Sequence, residues 1–475
     1  NDNTSIGLGA SGVGNISFSS VNATNGPITA NLVVTPAFSN GGVACPGVPD
    51  SILITVLPTP VATALTPQVL CATNNSTAVN LTATPAGSVF TWTNTNASIG
   101  LAASGNGNIP VFTATNNGTA PISGTISATP SLTTNGQACP GAPVSTQFTV
   151  NPNPVMNAPA SGNFCHGSNA AFNFTSNIAN GVTYAWTNTN TSIGLGASGS
   201  GNLGFAAQNL TSAPISGTIN VIPTFTANGL ACPGSAQTFT IQVIPNPTVN
   251  AQANITLCAG QQSTAISFTS PVAGTTFAWT NANTNIGLGA SGSNTLPVFT
   301  AANSSNSAPL TSQVSVTSSL TVNNVTCTGA PMLFNITVNP NTTVNAVNSV
   351  TLCAGATTAQ IPFAGTGTSY TWVNSNPSIG LLGNGTGTIA PFVVTNGGVA
   401  PITGNITVTS VFTGGGISCN GATTNFSITV NPTPTVTAPA NVTLCNGATS
   451  SAIALTGTGT AYNWTNSTPG IGLAA

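Results

Sequence analysis

The chain has 475 residues, no Lys or Arg, two acidic residues (Asp2 and Asp50), one histidine (His166) and ten cysteines. Without basic side chains it cannot neutralise phosphates, which excludes nucleic acid and removes electrostatic docking to anionic membranes. Hydrophobic residues make up 40% of the chain and are rich in β-branched types, so ordered β-structure is expected rather than disorder, and no apolar run reaches the length of about 18 residues that a membrane-spanning helix needs.

The opening Asn-Asp-Asn-Thr carries neither Met nor a leader peptide, and the chain is read as a mature or excised segment. Residues 1–57 form the back half of a repeat and end in an alternating strand at 51–56. A proline hinge follows at Pro58 and Pro60, and its equivalents recur at Pro152 and Pro154, Pro245 and Pro247, Pro340, and Pro432 and Pro434. Proline ends strands and stiffens linkers, so these hinges mark boundaries. Complete repeats are expected at 58–151, 152–244, 245–339 and 340–431, with a front half at 432–475.

Each repeat is organised around a tryptophan. Trp92, Trp186, Trp279, Trp372 and Trp464 are 94, 93, 93 and 92 residues apart, and each has an aromatic residue two positions before it. That spacing places both rings on one face of an extended strand, because strand side chains alternate. The five tryptophans are therefore expected as repeat cores, one for each unit.

Within 245–339 the pattern is strand and turn throughout. Strands are expected at 248–251 and 255–258 (one element, broken), 265–268, 276–279, 296–300, 313–317 leading to 321–322, and 333–338. A glycine-punctuated bend falls at 286–292, and a turn at 327–330 reverses the chain. About seven strands in some 93 residues give an all-β fold, a tandem array of immunoglobulin-like β-sandwich domains.

The motifs T-L-C-A-G, aromatic-x-W-T-N, S-I-G-L-x-A-S-G, A-P-I-S-G-T-I and A-C-P-G, closed by F-T-V-N-P-x-P, resemble PKD-like, immunoglobulin-like repeats of large Bacteroidota surface proteins. That resemblance covers essentially the whole chain. It implies export by type IX secretion and a gliding or adhesin role, and it supplies no binding residue, since the modules share no catalytic motif.

The cysteines keep the same period: Cys45 and Cys71, Cys139 and Cys165, Cys232 and Cys258, Cys327 and Cys353, Cys419 and Cys445, with 26 residues between the members of each pair. Zinc does not fit, since there is no C-x-x-C and His166 is not repeated. Disulfides in an oxidising, extracellular setting are expected. Pairing inside each complete repeat gives Cys71–Cys139, Cys165–Cys232, Cys258–Cys327 and Cys353–Cys419, leaving Cys45 and Cys445 unpaired or joined between chains. One geometric objection stands: in alternating strands the two cysteines of a repeat fall at opposite ends, and the alternative links neighbouring repeats, as Cys71–Cys232.

Chemistry is otherwise scarce. His166, Asp2 and Asp50 fall in three different repeats, so no carboxylate dyad forms, and His166 beside Cys165 reads as a turn residue rather than half of a Cys-His nucleophile. Calcium needs several carboxylates. No catalytic residue, metal site or cofactor is expected. The reading is a non-enzymatic extracellular segment of a bacterial surface adhesin or filament; the alternative is an array binding surface glycans through exposed aromatics. Its expected partners are neighbouring repeats or copies of itself, because an uncharged surface does not repel its like.

Overall fold

Alternation sets the local structure. In Val89–Asn94 every second side chain is buried, namely Phe90, Trp92 and Asn94, and Thr276–Asn281 repeats the pattern with Phe277, Trp279 and Asn281. In the computed structural model, which describes residues 1–473, the chain is an all-β tandem array of immunoglobulin-like β-sandwich domains. It divides into two units, the first running from Asn1 to Pro245 and the second from Asn246 onward. The last two residues of the expected front half 432–475 lie outside the described residues.

One sheet order recurs. In the first complete copy it runs Gln68–Cys71, Val144–Asn151, Ile122–Thr134, Val89–Asn94, Ser104–Asn106, with Gln137–Pro140 folded back on the far end of the long strand. The facing layer is slight, made of the pair Val61–Ala62 and Ala83–Thr84 and isolated bridges such as Val79 to Ile109. Phe90, Trp92, Ile99, Ile126, Phe148 and Val150 fill the space between. The edge strand beside the tryptophan has a glycine at its centre for a steric reason: a Cβ on Gly105 would stand 2.2 Å from the Trp92 ring.

The stretch after each tryptophan is a clasp. Asn96 caps the 3-10 turn Ala97–Ile99 by accepting a hydrogen bond from the Ser98 amide, and Gly100 ends the turn in the left-handed region at φ 100°. Buried Asn94 donates from Nδ2 to the carbonyls of Asn96 (3.0 Å) and Leu101 (2.9 Å). Ile99 is thereby driven fully into the core.

Four expectations for 245–339 need correction; of the strand expected at 296–300, only Leu296 lies in one, the short Thr295–Leu296. Residues 313–317 and 321–322 belong to one strand, Leu310–Val322, because its first part pairs with both Thr276–Asn281 and Met332–Asn339 while its last part pairs with Val325–Thr328. The chain reverses at Asn323 and Asn324, whose φ values of 49° and 63° suit a two-residue hairpin. Cys327 therefore sits on the returning strand, not in a turn. Residues 248–251 form no strand.

The tryptophans differ in burial. Trp92, Trp279 and Trp372 are buried, Trp186 is partly buried against its core, and Trp464 is 52% exposed. The expectation of a core residue fails at Trp464 because 432–473 holds only the short pair Val436–Thr437 and Thr456–Gly457; no long strand covers the ring. The back half, 1–57, has the strands Ile28–Val34 and Asp50–Val56, the hairpin Ala37–Asn40 and Val43–Pro46, and a small core of Ile6, Ala30 and Val56.

Candidate functional site at the repeat junctions

The first strand of a repeat pairs in parallel with its last, so Cys71 lies beside Asn151. Cys139 lies beside Leu132, ten residues along the long strand from Ile122, which pairs with Val150. At about 3.3 Å per residue that separation is about 33 Å, far beyond disulfide reach. Pairing within a repeat is thus ruled out by the parallel first strand.

The bonds run between neighbouring repeats. Cys71 joins Cys232 with a Cα–Cα distance of 5.4 Å, and Cys258 joins Cys419 at 5.5 Å, each across 161 residues. These replace the expected Cys71–Cys139, Cys165–Cys232, Cys258–Cys327 and Cys353–Cys419. Cys165 and Cys327 are disulfide-bonded as well, whereas Cys45, Cys139, Cys353 and Cys445 are free; Cys139 and Cys353 correct the expectation that they are bonded.

An asparagine accompanies both of these disulfide-tied junctions. Asn151 is wholly buried; its Nδ2 donates to the Ala227 carbonyl (2.7 Å) and its Oδ1 accepts from Asn228 Nδ2 (3.0 Å), both on the hairpin of the next repeat. Asn153, between the hinge prolines, donates back to the Ala72 carbonyl at 2.9 Å. At the second junction Asn339 donates to the Gly414 carbonyl at 2.9 Å. There Gly415 stands where the first junction has Asn228, and a Cβ at that position would meet the Thr256 side chain at 2.6 Å. Each of these two junctions therefore combines a covalent bond, a buried amide and a proline hinge. Sequence reasoning missed the asparagines, although Asn151, Asn339 and Asn431 each directly precede a hinge proline.

The remaining candidates are structural. His166 Nδ1 accepts a hydrogen bond from the Asn209 amide at 3.0 Å, and the neighbouring Cys165 sulfur is held in a disulfide, so no thiolate is paired with the ring. Asp2 accepts from the Asn31 amide at 2.7 Å, and Asp50 from the Ser51 amide at 2.8 Å.

No family model matches the chain, and no curated protein does. Among solved structures it is similar to the I-band fragment I67-I69 from titin (9% identity, TM-score 0.35, covering 60% of this chain and 100% of that one). Sidekick-1 immunoglobulin domains 1-5 (14%, TM-score 0.22, 81% and 84%) and Protocadherin Gamma B2 extracellular cadherin domains 3-6 (11%, TM-score 0.26, 79% and 99%) also match. At these identities and scores no function is carried over from them.

Proposed function

We propose that the chain is an extracellular structural segment, the stalk or fibre part of a bacterial surface adhesin or filament, in which junctions rather than pockets are the functional sites. The observation that carries this reading is the pair of disulfides Cys71–Cys232 and Cys258–Cys419, each tying one repeat to the next across a proline hinge. Disulfides persist in oxidising compartments, which supports a place outside the cell. A binding array would present its aromatics, whereas Trp92, Trp279 and Trp372 are committed to cores. The stalk reading predicts that reduction leaves each repeat folded but loosens its joints. Small-angle scattering with and without a phosphine reductant tests it: the circular dichroism stays constant while the interdomain terms of the scattering curve broaden. An unchanged scattering curve would count against joint stiffening as the purpose of these bonds.

A further inference from the structure

The two junctions closed by Cys71–Cys232 and Cys258–Cys419 are built from equivalent residues, yet they differ in how well the bond is covered. Cys71 lies beside Asn151 as Cys258 lies beside Asn339, so Asn153 corresponds to Asn341 and Ala72 to Ala259. At the first junction Cys71 is 4% exposed, Ala72 is 5% exposed and Cys232 is fully buried. At the second, Cys419 is buried as well, but Cys258 and Ala259 are only half-buried.

The hinge accounts for the difference. Asn153 stands between two prolines and folds back over the first junction, where its Nδ2 donates to the Ala72 carbonyl at 2.9 Å. Asn341 is followed by Thr342 instead of a second proline, which leaves its segment less stiff. Its side chain is exposed, and with Ala259 and Gly260 it lines part of an open groove of about 480 Å³. The groove therefore reaches the residue next to Cys258. Amide bonds across the joint are also fewer. The first junction has Asn151 to Ala227 and Asn228 to Asn151, whereas the second has Asn339 to Gly414, with Gly415 in the place of Asn228. Among the described residues each junction also holds one buried amide oxygen without a donor, on Asn153 and on Asn339, so that penalty is common to both.

Thiol–disulfide exchange requires a thiolate to reach one sulfur of the bond, and in a folded protein its rate follows that access. The chain has no Lys or Arg, so no such side chain stabilises a leaving thiolate at either bond, and coverage is what separates the two. We propose that Cys258 is a thiol-exchange site, uncovered by its hinge asparagine, at which a low-molecular-weight thiol opens the joint between 245–339 and 340–431 while Cys71–Cys232 stays closed. The external thiol loses its proton and bonds to Cys258 Sγ, the bond to Cys419 breaks, and Cys419 leaves as a thiolate that takes up a proton. A second external thiol then displaces the first from Cys258. The two external thiols end as one disulfide, and Cys258 and Cys419 end as two thiols. The inference rests on the stalk reading and adds a regulation to it: one joint answers to the surrounding thiol level and the other does not.

The test uses the 475-residue chain with its existing thiols blocked by N-ethylmaleimide. Reduced glutathione is added in native buffer, the reaction is stopped with deuterated N-ethylmaleimide, and chymotryptic peptides are mapped by mass. The deuterated label should enter Cys258 and Cys419 at least about tenfold faster than Cys71 and Cys232, and a glutathione adduct should be found on Cys258 and not on Cys419. Asn153→Ala should speed labelling of Cys71 and Cys232 severalfold while the far-UV spectrum stays unchanged. Equal rates at the two bonds, faster opening of Cys71–Cys232, an adduct on Cys419, labelling that begins only as the far-UV spectrum collapses, or an Asn153→Ala chain whose first bond stays as slow as before would each overturn the inference. The two readings fail separately: unselective labelling removes this one alone, whereas scattering that stays unchanged on full reduction removes the stalk reading with it.

Discussion

Residues 58–151 and 1–57 share their back-half pattern, yet they differ in what is covered. The hairpin residue beside the cysteine is 9% exposed at Leu132 and 74% exposed at Phe38, and the tryptophan is 4% exposed at position 92 and 52% exposed at position 464. The apolar residues are equivalent, so hydrophobicity alone does not decide burial. What decides it is whether the tryptophan strand and the long strand meet, as they do at Val89–Asn94 and Ile122–Thr134. Where they pair the layers close; Phe38 lies beside no tryptophan strand and Trp464 beside no long strand, and both face solvent.

The sharpest way to break this comparison is through the cysteines. Cys71→Ala with Cys232→Ala removes a cross-link spanning 161 residues, worth about 5 kcal/mol on the chain-entropy model. Cys139→Ala, at a free thiol, should change denaturant unfolding of the monomer by less than about 0.5 kcal/mol. Equal losses from the two would contradict the pairing. Next comes the core. Trp279→Ala should cost its repeat about 3–5 kcal/mol, whereas Trp464→Ala should leave the monomer's melting unchanged; a large loss at position 464 would mean that the front half closes by itself. The clasp gives a smaller contrast. Asn94→Ala leaves buried carbonyls without donors and should cost about 1–3 kcal/mol, while Asn466→Ala, whose bond to the Leu473 carbonyl is exposed, should cost only a few tenths. The smallest effect is electrostatic. With no Lys or Arg and two acids in the whole chain, closed and open regions alike should melt within a few degrees of the same temperature between about pH 5 and pH 8, and from low to molar salt. Calorimetry across those conditions checks this.

Much of the fold was legible because alternation is a local property. Phe90 and Trp92 had to share a face, and the period of the tryptophans and prolines marked out the repeated unit. The direction of Gln68–Cys71 was not legible. Parallel and antiparallel neighbours show the same alternation, and this one choice moves Cys71 from the hairpin end of the repeat to the hinge end. The single strand Leu310–Val322 was hidden for a related reason: Ser318 and Ser319 interrupt the apolar pattern, and Ser318 is buried because its hydroxyl donates to the Pro247 carbonyl at 2.7 Å. Asn151 and Asn339 were masked by composition, since in a chain so rich in asparagine a buried junction amide looks like any turn residue. Trp464 was misjudged because its motif is intact, and a motif carries no information about whether its covering strand is present.

The inter-repeat disulfides also determine where tension travels. A pull on the two ends of the chain crosses from Cys71 directly to Cys232, and from Cys258 directly to Cys419, so the 161-residue spans between them are bypassed. Extended at about 3.5 Å per residue, each span would be about 560 Å long. While the bonds hold, that length stays locked away and the repeats inside it cannot be unravelled from the ends. Reduction of all the disulfides would release it, so these spans are a reserve of length that is held only while the protein is oxidised.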